Sequence, residues 1–226
     1  MHTGKGSLVE LILQGGLRHA RISCPSILIP SPGQYLLASN GSDASLPVPV
    51  YHTESTPESF VAAPVPDSWN PGTEVYLRGP LGRGFALPAV ARKICLVAAD
   101  ESPTRLRGLI QTALKQSAAV ALLTDFPAEN LPDEVEVHPL SSLGEILAWA
   151  EYSAFDVARD NLTVLMEKLA KQNRHISTWR DAEVLVRTPV PCGGIAECGV
   201  CAVTTRSGWK MACKEGPVMN VKELWK

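Results

Sequence analysis

The sequence lacks the features that mark several large classes of protein. No apolar run approaches the roughly 20 residues of a membrane-spanning helix, and the N-terminal residues Met1–Gly6 lack the apolar segment of a secretory signal. No tract of lysine and arginine argues for nucleic acid, and the formal net charge is −2. No Ser/His/Asp set and no paired carboxylates stand out, so the sequence offers no candidate catalytic residues for a hydrolase. A cytoplasmic protein without a membrane span is therefore expected.

The composition is that of a globular protein with a substantial core. The chain has 226 residues, of which 45% are apolar and 19% are charged, both ordinary proportions. A chain of this length buries a large fraction of its surface and commonly forms more than one compact unit. Two units followed by a cysteine-rich tail are predicted.

The first 90 residues are predicted to form six short β-strands separated by turns. Turn residues such as Gly15-Gly16, Pro32-Gly33 and Asn70-Pro71-Gly72 divide the segment, and no helical period runs through it. The predicted strands are Ser7–Gln14, His19–Cys24, Gln34–Ala38, Val48–His52, Ser59–Ala63 and Thr73–Leu77. Strands at this spacing are typical of a small antiparallel barrel, which we place at residues 1–90.

Residues 91–187 show a different pattern, in which apolar strands alternate with amphipathic helices. Ser102-Pro103 supplies a helix start, and the strand before it is apolar throughout, as strands buried on both faces are. The predicted strands are Lys93–Ala98, Ala118–Leu123, Glu134–Val137 and Ala182–Val186, and helices are predicted after Ser102-Pro103 and over Ser142–Ala150 and Leu162–Lys171. This alternation predicts a small parallel α/β domain.

Four of the six cysteines lie in the last 35 residues, which gives the segment 188–226 its own character. Cys192, Cys198, Cys201 and Cys213 follow the spacing C-x5-C-x2-C-x11-C. Plant-type [2Fe–2S] proteins use C-x4-C-x2-C and a distant fourth cysteine, so the first gap here is one residue longer. Glycines between the thiolates allow amide groups to reach a cluster. These four residues are the predicted ligands of a [2Fe–2S] cluster.

Other interpretations of the cysteines remain open. Structural zinc prefers two C-x2-C units, and only Cys198 and Cys201 form one; zinc is one alternative, and a lost or disulfide-only site is another. Cys24 and Cys95 stand alone in apolar surroundings, where a buried, inert thiol is expected. Trp179, Trp209 and Trp225 are predicted to serve packing.

The order of barrel, α/β domain and cysteine segment resembles the electron-transfer subunits of dihydroorotate dehydrogenase, within the ferredoxin-reductase-like superfamily. The matching motifs are Pro32-Gly33-Gln34-Tyr35, Gly79–Phe85 and Cys192–Val218, in which the last cysteine precedes Gly-Pro-Val. The resemblance implies a flavin-binding barrel, a nicotinamide-binding α/β domain and a [2Fe–2S] segment. It also implies that Cys192 and Cys198 share one iron, and Cys201 and Cys213 the other.

Two nucleotide motifs of that family are absent. No arginine stands in Leu46–Tyr51 to pair with a flavin diphosphate, so FAD remains a candidate cofactor held by backbone groups and Pro49, Val50, Tyr51 and Thr53. The glycine turn expected after the first α/β strand is replaced by Ala98–Pro103, which contains two carboxylates. Because glycine lets backbone approach a phosphate, NAD(P) binding is not expected. Asp100 and Glu101 are instead predicted to form a solvated helix start.

Two functions follow as hypotheses. In the first, the chain is an electron-transfer subunit that relays electrons between a catalytic flavoprotein partner, of the dihydroorotate dehydrogenase type or another, and a further carrier. In the second, it is a nucleotide-free scaffold or assembly subunit of a larger redox complex, with a relay or structural cluster. Both imply a hetero-oligomer, and in both the protein is a component of an oxidoreductase.

Overall fold

The computed structural model describes residues 1–41, 46–172 and 181–224. The N-terminal part is a closed barrel of antiparallel strands in the order β1-β2-β5-β4-β3-β6. Its strands are β1 (His2–Gln14), β2 (Leu17–Ser23), β3 (Tyr35–Ser39), β4 (Val48–Thr56), β5 (Ser59–Ala63) and β6 (Glu74–Leu81). Each contains one of the six predicted strands or most of it, so the sequence prediction of a six-stranded barrel is confirmed.

The second part is a six-stranded sheet in which five strands are parallel. Those five are β7 (Lys93–Ala98), β8 (Ala119–Leu123), β9 (Val135–His138), β10 (Tyr152–Ala158) and β11 (Ala182–Arg187). The helices between them are α1 (Arg107–Lys115), α2 (Leu143–Trp149) and α3 (Leu162–Gln172). β10, which sequence reasoning did not identify, lies between β7 and β11 at the centre of the sheet.

The cysteine-rich segment contributes the sixth strand of that sheet. It forms a hairpin of β12 (Ala202–Thr205) and β13 (Gly208–Met211), then two single-turn helices separated by a strand. These are α4 (Ala212–Glu215), β14 (Val218–Asn220) and α5 (Val221–Leu224). Because β14 pairs antiparallel with β11, the segment is built into the sheet at its edge. The predicted boundaries at 90 and 187 stay predictions.

Alternate residues of β7 contribute to two apolar cores on opposite faces of the sheet, as expected for a strand buried on both sides. Ile94 and Leu96 pack with α1, whereas Cys95 and Val97 face α2, α3 and the cysteine segment. A third core fills the barrel around Phe60. The cysteine segment is thus anchored by the same core that holds the sheet together.

A small fourth cluster joins the barrel to the sheet and the cysteine segment. Tyr35, Leu37 and Tyr51 from the barrel pack against Leu185 of β11 and Val218 of β14. Gly33 makes this close approach possible: its φ is +87°, and a Cβ there would lie 2.6 Å from a Val218 methyl group. The sequence turn at Pro32-Gly33 therefore positions the barrel against the C-terminal strand.

No helix within the described ranges has the length and apolar character needed to cross a bilayer. Of the three tryptophans predicted to pack near the C-terminus, Trp209 is 74% exposed at the β12–β13 hairpin. The packing prediction is therefore wrong for Trp209. Trp179 and Trp225 lie outside the described residues.

Candidate iron–sulfur centre

Three of the four C-terminal cysteines lie on the loop between β11 and β12, and Cys213 lies in α4 after the hairpin. Cys192 and Cys198 belong to the loop between β11 and β12, where Cys192 is half-buried and Cys198 is exposed. Cys201 and Cys213 are buried on either side of the hairpin. The amide of Ala212 donates a hydrogen bond of 3.1 Å to the Cys201 carbonyl, which clamps these two cysteines together.

The thiols form two pairs. Cys198 lies within hydrogen-bonding reach of Cys192, and Cys201 within reach of Cys213. No group of three or more metal-ligating side chains is assembled in the part of the chain that the structure describes. A [2Fe–2S] cluster takes four thiolates on two irons; which two thiols share each iron stays a prediction.

The pairs differ in their electrostatic surroundings. Desolvation opposes ionisation of Cys192, but hydrogen bonds from Cys198 and from the amides of Ile195, Cys198 and Ala196 outweigh it and lower the pKa of Cys192 to about 6. Burial, together with the neighbouring Cys201, raises the pKa of Cys213 to about 12. Cys192 thus has an amide environment that stabilises a thiolate, while Cys213 requires a metal to displace its proton.

The loop backbone explains those amide contacts. Gly193, Gly194 and Gly199 have φ values of +67°, +75° and +71°, and the non-glycine residue Ala196 has +64°. Consecutive turns of this kind direct N–H groups into a concave anion-binding nest. The Ala196 amide interacts favourably with the thiolates of both Cys192 and Cys213, so a single amide links the two pairs.

The residues present fit an iron–sulfur cluster. The donor set contains thiols only, the amides converge on the ligands, and glycines line the loop, as sulfide-containing clusters require. Cys24 and Cys95 are buried in the cores of the barrel and the sheet. Burial raises the pKa of Cys24 to about 11 and that of Cys95 to about 12, in agreement with the inert thiols predicted.

The crevice at the carboxyl ends of β7 and β10 is filled by charged side chains. Strand order reverses between these two strands, the position at which open α/β sheets bind nucleotides. Arg187 donates to Asp156 at 2.9 Å and to Glu101 at 2.5 Å, and it also pairs with Asp100. Arg105 adds contacts to Glu101 at 2.9 Å and Asp156 at 3.3 Å.

This ion network bears on two predictions from the sequence, the solvated state of Asp100 and Glu101 and the binding of a nicotinamide dinucleotide. Asp100 and Glu101 are not a solvated helix start, because both are paired with Arg187, and the Asp100 side chain is only 14% exposed. Two arginines pair with three carboxylates, so this network as a whole presents a net negative charge to a diphosphate. The residues at this crevice do not fit a nicotinamide dinucleotide.

The residues predicted to contact flavin lie on β4 and are largely committed to other contacts. Val50 is fully buried in the barrel core, and the Thr53 hydroxyl donates to the Val61 carbonyl at 3.0 Å. The Arg105 guanidinium lies 5.4 Å from the centre of the Tyr51 ring, and Pro49 is half-buried beside Val50. FAD contact at these four residues stays a prediction, and the place of Arg105 over Tyr51 was not foreseeable from the motif.

Comparisons with known proteins agree with this architecture. Residues 192–225 match the family model of the iron–sulfur cluster binding domain of dihydroorotate dehydrogenase B. The electron transfer subunit of dihydroorotate dehydrogenase B (NAD(+)) from Clostridium perfringens is 26% identical over 218 residues, covering 84% of this chain and 85% of the relative.

Solved structures with the same fold have low sequence identity to this chain. The NADH-dependent reduced ferredoxin-NADP oxidoreductase structure gives a TM-score of 0.74 at 14% identity, covering 97% of this chain and 89% of that one. The FAD-apo ferredoxin reductase of carbazole 1,9a-dioxygenase gives 0.60 at 13% identity, covering 80% and 67%. At such identities the likeness establishes the fold.

The fold and the cysteine segment define a ferredoxin-reductase-like protein with a C-terminal iron–sulfur binding segment. Within that class, residues 192–225 are similar to the iron–sulfur binding domain of dihydroorotate dehydrogenase B, and the chain is similar over most of its length to an electron transfer subunit of that enzyme. The predicted resemblance and fold class are thereby confirmed, and the predicted electron-transfer function agrees with the name of that relative. The ion network at the crevice was not predicted from the sequence. Its members are separated by up to 87 positions, and no local sequence motif indicates such a pairing.

Proposed function

We propose that Cys192, Cys198, Cys201 and Cys213 bind a [2Fe–2S] cluster through which the chain relays single electrons between a catalytic flavoprotein subunit and another carrier. The observation that carries the proposal is the arrangement of two thiol pairs around one amide-lined loop. Four thiolates leave the irons no open position for substrate, so a relay is the chemistry that such a site supports.

The exposure of the site supports electron exchange with a partner. Cys201 and Cys213 are buried, whereas Cys198 reaches the surface, so one edge of the cluster would face outward. Ile195 and Val200, on the same loop, are exposed apolar side chains. Exposed apolar groups around a functional site are typical of protein interfaces, and we assign this face to the flavoprotein partner. A reducing cytoplasm would keep the thiolates available.

The filled crevice favours a second candidate for the body of the chain. Because Arg105 and Arg187 neutralise the carboxylates from within, the barrel and sheet would act as a nucleotide-free scaffold that holds the cluster within a larger redox complex. The cluster ligands are the same in both candidates. They differ in whether FAD is bound.

One anaerobic preparation tests the proposal and separates the two candidates. Iron, acid-labile sulfide and flavin are assayed on the purified chain, and an EPR spectrum is recorded after reduction with dithionite. Two irons and two sulfides with a rhombic spectrum at g values near 2 support the cluster. Stoichiometric FAD in addition supports the first candidate, and its absence supports the scaffold. Zinc without iron would overturn both redox roles.

A further inference from the structure

A cleft of about 410 Å³ lies between the barrel and the cysteine loop. Its walls are largely apolar, with Leu37, Tyr76 and Leu77 from the barrel, and Gly193 of the loop closes one side. Two cations, Lys5 and Arg78, project from neighbouring strands of the barrel into this lining. Arg78 therefore places positive charge in the cleft near Gly193, the residue next to Cys192.

The two cations differ in whether they are paired. The Lys5 ammonium contacts Glu74 at 2.8 Å and lies 5.1 Å from the centre of the Tyr76 ring. The Nη2 atom of Arg78 is buried and has no hydrogen-bond partner among the described residues. A buried charged donor without an acceptor is costly, so an acceptor outside the described residues is expected beside it.

The position of Nη2 indicates which acceptor that is. A Cβ built at Gly193 would lie only 3.4 Å from Nη2, so the guanidinium lies beside the loop immediately after Cys192. Glycine at this position, with φ +67°, leaves the space between Arg78 and the loop free of a side chain. The acceptors that the proposed function brings to this loop are the thiolate and sulfide sulfurs of the cluster.

We propose that Arg78 is a positioning residue for the cluster, donating a hydrogen bond to a sulfur at the Cys192 side and raising the reduction potential. The inference rests on the proposed function. Reduction adds one electron, and hence one negative charge, to a centre that already carries four thiolates. A fixed cation nearby stabilises that added charge more than the oxidised state, and hydrogen bonds to the sulfurs act in the same direction.

The test compares R78Q, R78K and the control K5Q in the full-length, cluster-loaded protein. Each is titrated anaerobically with redox mediators, and the reduced cluster is followed by EPR. In R78Q the ratio of reduced to oxidised cluster at a fixed potential is expected to fall about tenfold, a shift of about 59 mV to lower potential for one electron. R78K, which keeps the charge, should recover most of the loss. K5Q removes a cation already paired with Glu74 and should change the ratio less than twofold.

The outcomes separate the inference from the function on which it rests. Wild-type protein without iron would overturn the proposed function. Normal iron content in R78Q with an unchanged potential would overturn only the inference, and would leave Arg78 as a contact for an acidic group of the partner. If R78Q fails to retain iron, nitrogen hyperfine coupling is measured in wild-type protein carrying ¹⁵N-arginine, with R78K as the reference. A coupling lost in R78K supports the hydrogen bond, and no arginine coupling overturns it.

Discussion

The hydroxyl of Tyr35 donates a hydrogen bond of 2.9 Å to the backbone carbonyl of Cys213. Tyr35 is almost fully buried, and burial raises the pKa of its phenol well above the ordinary value, so the group remains a donor at every physiological pH. The bond joins the third strand of the barrel to the last predicted cluster ligand. The barrel therefore takes part in holding the cysteine segment in place.

Replacing Tyr35 with phenylalanine should destabilise the protein by about 1–3 kcal/mol, because a buried carbonyl loses its donor. We also expect faster loss of iron to a chelator, since Cys213 is less firmly held. Both are measured on the loaded protein, by denaturant unfolding and by the rate of bleaching. Y76F, at an exposed tyrosine of the same barrel, is the control. Equal behaviour of Y35F and Y76F would contradict the structural role of this bond.

Replacing Arg187 with methionine should have a larger effect. Arg187 contacts Asp100, Glu101 and Asp156, and its removal leaves three carboxylates matched by Arg105 alone. Breaking a buried ion-pair network in this way costs about 3–5 kcal/mol. Because burial raises the pKa of Asp156, its protonation should relieve the repulsion, and the difference from wild type should shrink as the pH falls from 7 to 5. The measurement is denaturant unfolding at both pH values.

The exposed pair of Lys5 and Glu74 supplies the comparison for R187M. Both side chains are more than half exposed, and such pairs contribute little to stability because water screens them. K5M should therefore unfold almost as wild type does. An R187M variant as stable as K5M would show that the crevice network does not stabilise the fold.

Sequence reasoning succeeded where local patterns determine structure. Turn residues such as Pro32-Gly33 separate strands that each bury one face, so the barrel strands could be placed within a few residues. Cys192 to Cys213 lie within one continuous stretch, and their spacing alone indicated a cluster segment.

The structural features that the sequence did not predict depend on contacts between residues far apart in the chain. Tyr152–Ala158 was not identified as a strand, because Asp156 interrupts an apolar run; its charge is tolerated only because Arg105 and Arg187 reach it from other elements. β14 has only three residues and forms because β11 offers an edge. Asp100 was expected to be solvated because its partner, Arg187, lies 87 positions away in the sequence. Tertiary contacts of this kind leave no periodic signal in a single sequence.

Acid should destabilise the packing of α1 on the barrel through His52. Its side chain is buried, Nδ1 has no partner among the described residues, and a Cβ at Gly108 of α1 would lie 2.6 Å from that atom. Burial lowers the pKa of His52 from 6.5 to about 4. The unfolded chain binds the proton more tightly, so this stability is complete above pH 6.5 and is lost as the pH falls towards 4. The expected loss is about 3 kcal/mol.

The H52L variant isolates this contribution. Leucine cannot be protonated, so the free energy of unfolding of H52L should fall less than that of wild type between pH 6.5 and 4.5. Urea unfolding at several pH values measures both curves. Parallel curves would show that the pKa of His52 does not differ between the folded and the unfolded chain.

Alanine substitutions at the cysteines should divide them into two classes. C198A and C201A each remove one proposed ligand, one from the exposed pair and one from the buried pair, and both should lose most of the iron and the EPR signal. C24A is the matched control, because Cys24 is a buried thiol in the barrel core. It should lose about 1 kcal/mol of stability from the small cavity left by the sulfur and keep its iron.

Comparing C198A with C201A tests whether an exposed and a buried cysteine differ in their contribution to the stability of the metal-free chain. Cys201 is clamped by the Ala212 amide and packed in the sheet core, so C201A should also lower the free energy of unfolding of the metal-free chain. Cys198 is exposed, so the metal-free C198A chain should unfold as wild type does while failing to hold iron. Iron retained in C198A but lost in C24A would contradict the assignment of the centre to the C-terminal segment. Loss of iron in both ligand variants, with a stability cost in C201A alone, is the result that the structure predicts.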